Sequence, residues 1–442
     1  MHSPLASQSI PAAGARSKLA APPNFEWQGV ASCAATACHG GNGPTGSKGS
    51  EYTTWVLYDS HAKAYQVLLN DRSRLIKKNL GRLSSAKEAQ EDPLCLRCHA
   101  MNPDQGPQRD GFVRDFGVGC ESCHGTGQKW LGEHYARDWK LKDASEKIRL
   151  GYRPLKSLEE RANLCVTCHV GDRNKDVNHE LIAAGHPRLN FEFGAFQALM
   201  PKHWHEEGEN AQPDFEARAW AIGQLFSAQA ALDLLEHRAR GRSPSWPEFA
   251  EYDCFACHHD LREPSWRQQP GHYANRAPGT FPWGTWYYAM LGQALRTSTR
   301  SAAVQVQEKL DQLDKEMRKP SPNRKRVADQ AHAASAAIGR FMENVQNVHF
   351  SRAALENLFR TISQNDQKHS AANWDDAAQV YAALAAVYNA LANTSGGRGD
   401  PGLREALKQR AKRLDYPKGY DSPLGYETKG KGKDKMREQS PR

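Results

Sequence analysis

Ten cysteines fall into five local pairs, and a histidine follows the second cysteine of every pair. In chain order they are Cys33/Cys38 before His39, Cys95/Cys98 before His99, Cys120/Cys123 before His124, Cys165/Cys168 before His169 and Cys254/Cys257 before His258. Two thiols one short turn apart can add to the two vinyl groups on one edge of a porphyrin, and the next residue then sets an imidazole beneath the ring. That is the attachment signature of c-type haem, with histidine as an axial ligand of iron. Structural zinc needs four ligands at one centre, thioredoxin-type dithiols need no trailing histidine, and disulfide frameworks belong to small secreted domains. None of these accounts for one offset repeated five times. The first pair has four intervening residues rather than two, so its cysteines arch further around the ring edge. Attachment through Cys38 alone is the alternative there, but no other cysteine lacks a partner. The expected cofactor is five covalently attached haem c groups.

An iron used only for electron transfer needs a second strong axial ligand, which keeps it low-spin and excludes substrates. Beyond the motif histidines and His2, twelve histidines remain. His61 in "SHAKAY" has small neighbours that let a flat ring approach. His134 stands ten residues after His124, past a Gly-rich turn. His179 and His186 are seven residues apart, but Gly185 and Pro187 predict that a helix ends between them. His259 is adjacent to His258, so it points elsewhere and is expected to bind a neighbouring haem. These five are the expected distal ligands. His203 and His205 in "MPKHWHE" are the reserves, followed by His272 and His349.

The segments "SCAATACHGG", "SHAKAY", "GVGCESCHGTG", "AAGHPRLNFE" and "DCFACHHDL" resemble the multihaem c-type cytochromes related to the tetrahaem electron acceptor of ammonia oxidisers and to hydroxylamine oxidoreductase. The resemblance runs over roughly residues 30 to 290. It implies stacked and perpendicular haem pairs, distal histidines drawn from distant segments, and adjacent histidines serving two haems, as expected of His258 and His259. All five motifs end in histidine, whereas ammonia-forming pentahaem nitrite reductases carry lysine at the catalytic haem. The crosslinked tyrosine of hydroxylamine oxidoreductase is not identifiable here. The expected function is electron relay, with redox proteins and a membrane-bound respiratory complex as partners. The alternative is an oxidoreductase with one five-coordinate haem acting on a small nitrogen or sulfur compound.

The elements that position these residues are predicted to be mainly helical. A flexible segment over 1–28 precedes a haem-organised domain with long loops over 29–290. A cysteine-free helical bundle over 291–415 and a disordered basic tail over 416–442 follow. The longest helix is expected in "DFEARAWAIGQLFSAQAALDLLEHRAR", with Asp214 as N-cap and Gly241 past its end. Trp374, Ala377, Tyr381, Leu384, Tyr388 and Leu391 recur at helical spacing as a packing seam, inside the chain or between copies of it. Only 39% of the 442 residues are hydrophobic, and the mean hydropathy is −0.75, little for a chain of this length to fill its cores. Apolar porphyrin plates substitute for the missing aliphatic core. The formal net charge is +9; each ferric bis-histidine haem with ionised propionates adds about −1, so the excess is internal compensation rather than a nucleic-acid footprint. No run is long and apolar enough to span a membrane. Haem attachment implies the periplasm or another extracytoplasmic compartment, although the chain opens without an apolar leader.

Overall fold

The computed structural model describes residues 25–81, 88–101, 106–204, 208–241, 245–254, 257, 280–296, 300–342, 348–370 and 374–414. Most of the lead-in and the basic tail therefore lie outside the described residues, as do His205, His258, His259 and His272. The fold is mainly α, and the described residues outside helices form only three isolated β-bridges.

The first half is built from short helices joined by long loops and 3-10 turns: α1 (Glu51–Tyr58), α2 (Asp71–Leu80), α3 (Pro93–His99), α4 (Cys120–His124), α5 (Ala144–Arg149), α6 (Leu158–His169), α7 (His179–Ala183) and α8 (Phe193–Leu199). The second half holds α9 (Phe215–Arg240), α10 (Leu291–Leu295), α11 (Arg300–Met317), α12 (Arg324–Met342), α13 (Arg352–Ser370), α14 (Trp374–Thr394) and α15 (Pro401–Arg413).

Three attachment motifs occupy the last turn of a helix, at the ends of α3, α4 and α6. Cysteines at i and i+3 with histidine at i+4 then share one helix face, which a pair-plus-histidine grip on a planar group requires. Each entry is set locally. The Asp92 side chain accepts the Leu94 N–H ahead of α3, with Pro93 in the first turn, and Ser157 accepts the Glu160 N–H ahead of α6. The irregular first motif has no such helix. Cys33 follows a 3-10 turn at Val30–Ser32, and Cys38 lies in the turns beyond it.

The aliphatic core is unevenly distributed. Three clusters of only four buried residues each serve the N-terminal half. Two large clusters lie further along, and both are built on α9. Ile222, Leu225, Leu232 and Leu235 meet Leu158, Ala162 and Val166 of α6 and Val327, Ala331 and Ile338 of α12. Ala217, Trp220 and Ala221 meet Ala383, Leu384 and Val387 of α14 and Leu355 of α13. With 19 of its 26 residues buried, α9 is interior on every side.

Local details differ from the sequence pattern. The stretch after Glu51 reads as one amphipathic helix, but it breaks at Asp59, whose carboxylate takes the His61 backbone N–H. Asp214 does precede α9, yet its carboxylate accepts the Phe350 N–H at 2.8 Å instead of capping its own helix. Gly241 ends α9 in extended rather than left-handed backbone. Along α14, Tyr381 and Leu384 of the expected seam are buried, as are Ala378, Val380, Ala383 and Val387 outside it. The seam is thus occupied within the chain.

Candidate haem-ligating site

The described histidines come together in pairs. Ring centroids are 6.1 Å apart for His39 and His134, 5.9 Å for His61 and His169, 6.4 Å for His99 and His186 and 6.4 Å for His124 and His203. Every pair joins a motif histidine to one outside the motifs. Metal–imidazole bonds run at about 2.0 Å, so two imidazoles on opposite sides of one iron have centroids about 6.3 Å apart. Direct packing explains the distances less well. The His39 and His134 planes are only 18° apart, yet their separation is well beyond face-to-face contact.

The hydrogen bonds fix which nitrogen is left for a metal. Nδ1 of His39 lies 2.9 Å from Glu51 Oε2, and that of His61 lies 2.9 Å from Asp59 Oδ1. Nδ1 of His99 is 2.9 Å from the Ala64 carbonyl, that of His134 is 2.6 Å from the Leu131 carbonyl, and that of His186 is 2.7 Å from the Pro187 carbonyl. All five partners are acceptors, so Nδ1 carries the proton and Nε2 keeps its lone pair. Burial pushes His124 and His169 down to about 4, aided by neighbouring imidazoles, and it lowers His99, His186 and His203 as well. Neutral imidazole is the ligating form. His61 is raised instead: burial opposes its charge, but the Asp59 carboxylate outweighs it.

The cysteines of the first four motifs fit the same group. None of the ten cysteines is joined in a disulfide. Burial pushes Cys95 and Cys123 up to about 11 and Cys165 up to about 12. Cys33 lies in hydrogen-bond contact with Cys120, and Cys98 with Cys168, so the first attachment edge adjoins the third and the second adjoins the fourth. Among the described residues no three His, Cys, Asp or Glu side chains converge as a metal cage. The donor set suits a flat, covalently anchored metal plate, and the sparse aliphatic core around it leaves that role open.

Of the fifth motif only the two cysteines lie among the described residues. Cys257, expected as the second anchor of the fifth haem, is exposed to solvent, whereas its partner Cys254 is half-buried. The Cys257 N–H donates to the Cys254 carbonyl at 3.2 Å. Cys38, the second cysteine of the first motif, is exposed as well, in turns rather than a helix.

Of the expected distal histidines, His61, His134 and His186 each face a motif histidine. His203, only a reserve in the sequence reading, faces His124. Its signal was the closely spaced pair in "HWH", which gives no direction. His179 faces Phe249, with ring centroids 5.7 Å apart, and its backbone N–H donates to Glu248 Oε1 at 2.8 Å. His349 is exposed beside Asp214. His259 lies outside the described residues.

Residues 32–125 match the family described as cytochrome c554 and c-prime. Over 123 residues, 25% of this chain, the sequence is 28% identical to cytochrome c-554 of Nitrosomonas europaea, and the match spans 48% of that protein's length. No solved structure matches the chain. The repeated attachment motifs and the facing imidazoles, together with these two similarities, liken the chain to the multihaem c-type cytochromes.

Proposed function

We propose that the chain holds five haem c groups, each between two histidines, and relays electrons outside the cytoplasm. The observation that carries this reading is the pairing of each described motif histidine with one non-motif histidine at a trans-ligand distance. Cys33/Cys38, Cys95/Cys98, Cys120/Cys123, Cys165/Cys168 and Cys254/Cys257 anchor the groups. His39, His99, His124, His169 and His258 would hold the irons as motif ligands, and His134, His186, His203 and His61 would be the second ligands of the first four.

His179 and His259 compete for the fifth place. His179 is favoured because Glu248 and Phe249 dock the start of α7 on the segment that leads into Cys254. Haem supplies a one-electron ferric/ferrous couple. The chain's own residues do the rest. Two imidazoles per iron deny substrates a coordination place, and the acceptors at Nδ1 hold each ring's tautomer and orientation. The adjoining attachment edges, Cys33 with Cys120 and Cys98 with Cys168, keep the redox centres close.

Redox proteins are the partners this chemistry serves, in the periplasm or a comparable compartment of a respiratory chain. Among the described residues no helix is long and apolar enough to cross a membrane. An enzymatic reading needs an open axial place, and each of the four described motif histidines faces a second imidazole instead. Intact mass of the denatured, exported protein tests the count. Five haems are expected, and four would mean that one of the two motifs with an exposed second cysteine, Cys38 or Cys257, stays empty.

A further inference from the structure

The acceptors behind the paired imidazoles are not alike. His39 hydrogen-bonds a carboxylate, Glu51, which is itself fixed by the Gly49 N–H on its other oxygen at 3.1 Å. His99 and His186 have only neutral carbonyls behind them. A carboxylate acceptor raises the basicity of a ligating imidazole and favours the more positive metal, so it lowers the reduction potential; a carbonyl does so much less.

Other charges add to the contrast. At the first site, buried Glu121 lies beside the Cys33/Cys120 contact, and Arg109 reaches only the margin, at Ser32. Around the second site stand three cations. Lys175 Nζ lies 3.2 Å from Cys168 Sγ, where that sulfur meets Cys98. Arg97 belongs to the motif itself, and Arg72 donates to the Gly185 carbonyl next to His186. Of the nearby anions, Asp92 is ion-paired with Lys77, and Asp172 accepts the Asn174 N–H. Surroundings of mixed sign mark the other two sites. Asp59 backs His61 at the fourth, whose Cys168 is contacted by Lys175, and at the third Cys123 lies near both Arg153 and Asp59.

We propose that the first attachment site is the low-potential end of the described sites and the second the high-potential end, with Glu51 and Lys175 as the residues that set the order. Electrons then enter at the first site and gather at the second. The exposure of Cys38, alone among the cysteines of the first four motifs, suits an entry point. This inference rests on the histidine pairing proposed above.

The test is a spectroelectrochemical titration of the full-length haem-loaded chain and three variants, with haem count and spin state recorded alongside. Glu51→Gln keeps a hydrogen-bond acceptor but removes the charge, so the lowest of the four steps of the described sites is expected to move up while the highest stays. Lys175→Gln is expected to move the highest step down and leave the lowest in place, and Lys175→Arg to restore it. All three are expected to keep the wild-type haem count and low-spin state, which a merely structural defect would not. A Glu51→Gln shift in any other step, or none, overturns the inference, as does a highest step indifferent to Lys175→Gln. A high-spin wild type overturns the pairing instead, so the two failures are distinguishable.

Discussion

An imidazole whose Nδ1–H is engaged by a fixed acceptor has one lone pair left and little rotational freedom. Five of the paired histidines are held this way, and in the proposed reading losing one ligand of a pair leaves its iron five-coordinate while attachment persists. His203→Ala is therefore expected to keep five covalent haems and turn one high-spin, able to bind carbon monoxide; an unchanged low-spin spectrum would remove His203 from the ligand set. His179→Ala is expected to do the same at the fifth site, and His259→Ala to leave the spin state intact. The reverse pattern would restore the adjacent-histidine reading. The motif residues were legible in the sequence because their chemistry is local: two thiols and an imidazole within one turn. Their surroundings were not: nothing local says that Cys257 is exposed while Cys165 is half-buried. The distal residues were only partly legible. Nothing in "MPKHWHE" says that the chain returns His203 to α4, because that meeting is set by tertiary packing across 79 positions.

Among the elements, α9 dictates close tolerances. A Cβ on Gly223 would stand 2.5 Å from the Phe193 Cβ of α8. Alanine in a helix interior normally gains up to about 1 kcal/mol over glycine, but forcing a methyl into a packed contact costs about 1–3 kcal/mol. Gly223→Ala is therefore expected to destabilise by about 1–2 kcal/mol in denaturant unfolding; a stabilised variant would mean α8 yields freely. Glu192 caps α8 by accepting the Gly194 and Ala195 N–H groups. Burial nevertheless pushes its carboxyl from 4.5 up to about 7. An acid that holds its proton more tightly when folded stabilises fully below about 4.5, and that contribution is lost as pH rises through about 7. Glu192→Gln keeps an acceptor without the charge. Its stability relative to wild type is expected to rise by up to about 3 kcal/mol between about pH 4.5 and 7.5. A flat difference would show that Glu192 ionises freely in the fold. The helix itself was readable from its apolar run, whereas the redirected Asp214 carboxylate was not, since its partner Phe350 is 136 residues away.

At the scale of the whole molecule, the apolar interior is divided between side chains and, in the proposed reading, porphyrin. The N-terminal half has small scattered clusters, and the later helices form two continuous cores that meet on α9. The low hydrophobic fraction made that division legible, but not the sharing of α9 between segments. Because α12 and α14 cover α9 and α9 supports the motif helix α6, truncation before residue 296 is expected to expose α9 and sharply lower the yield of haem-loaded protein. Full yield would show that the first half stands alone. The central claim is that motif and distal histidines pair across each iron. Near-infrared magnetic circular dichroism of the oxidised protein, quantified per haem, tests it most directly. Bis-histidine low-spin intensity equal to the whole haem content is expected; high-spin or histidine–methionine intensity from any of the first four sites would contradict the pairing.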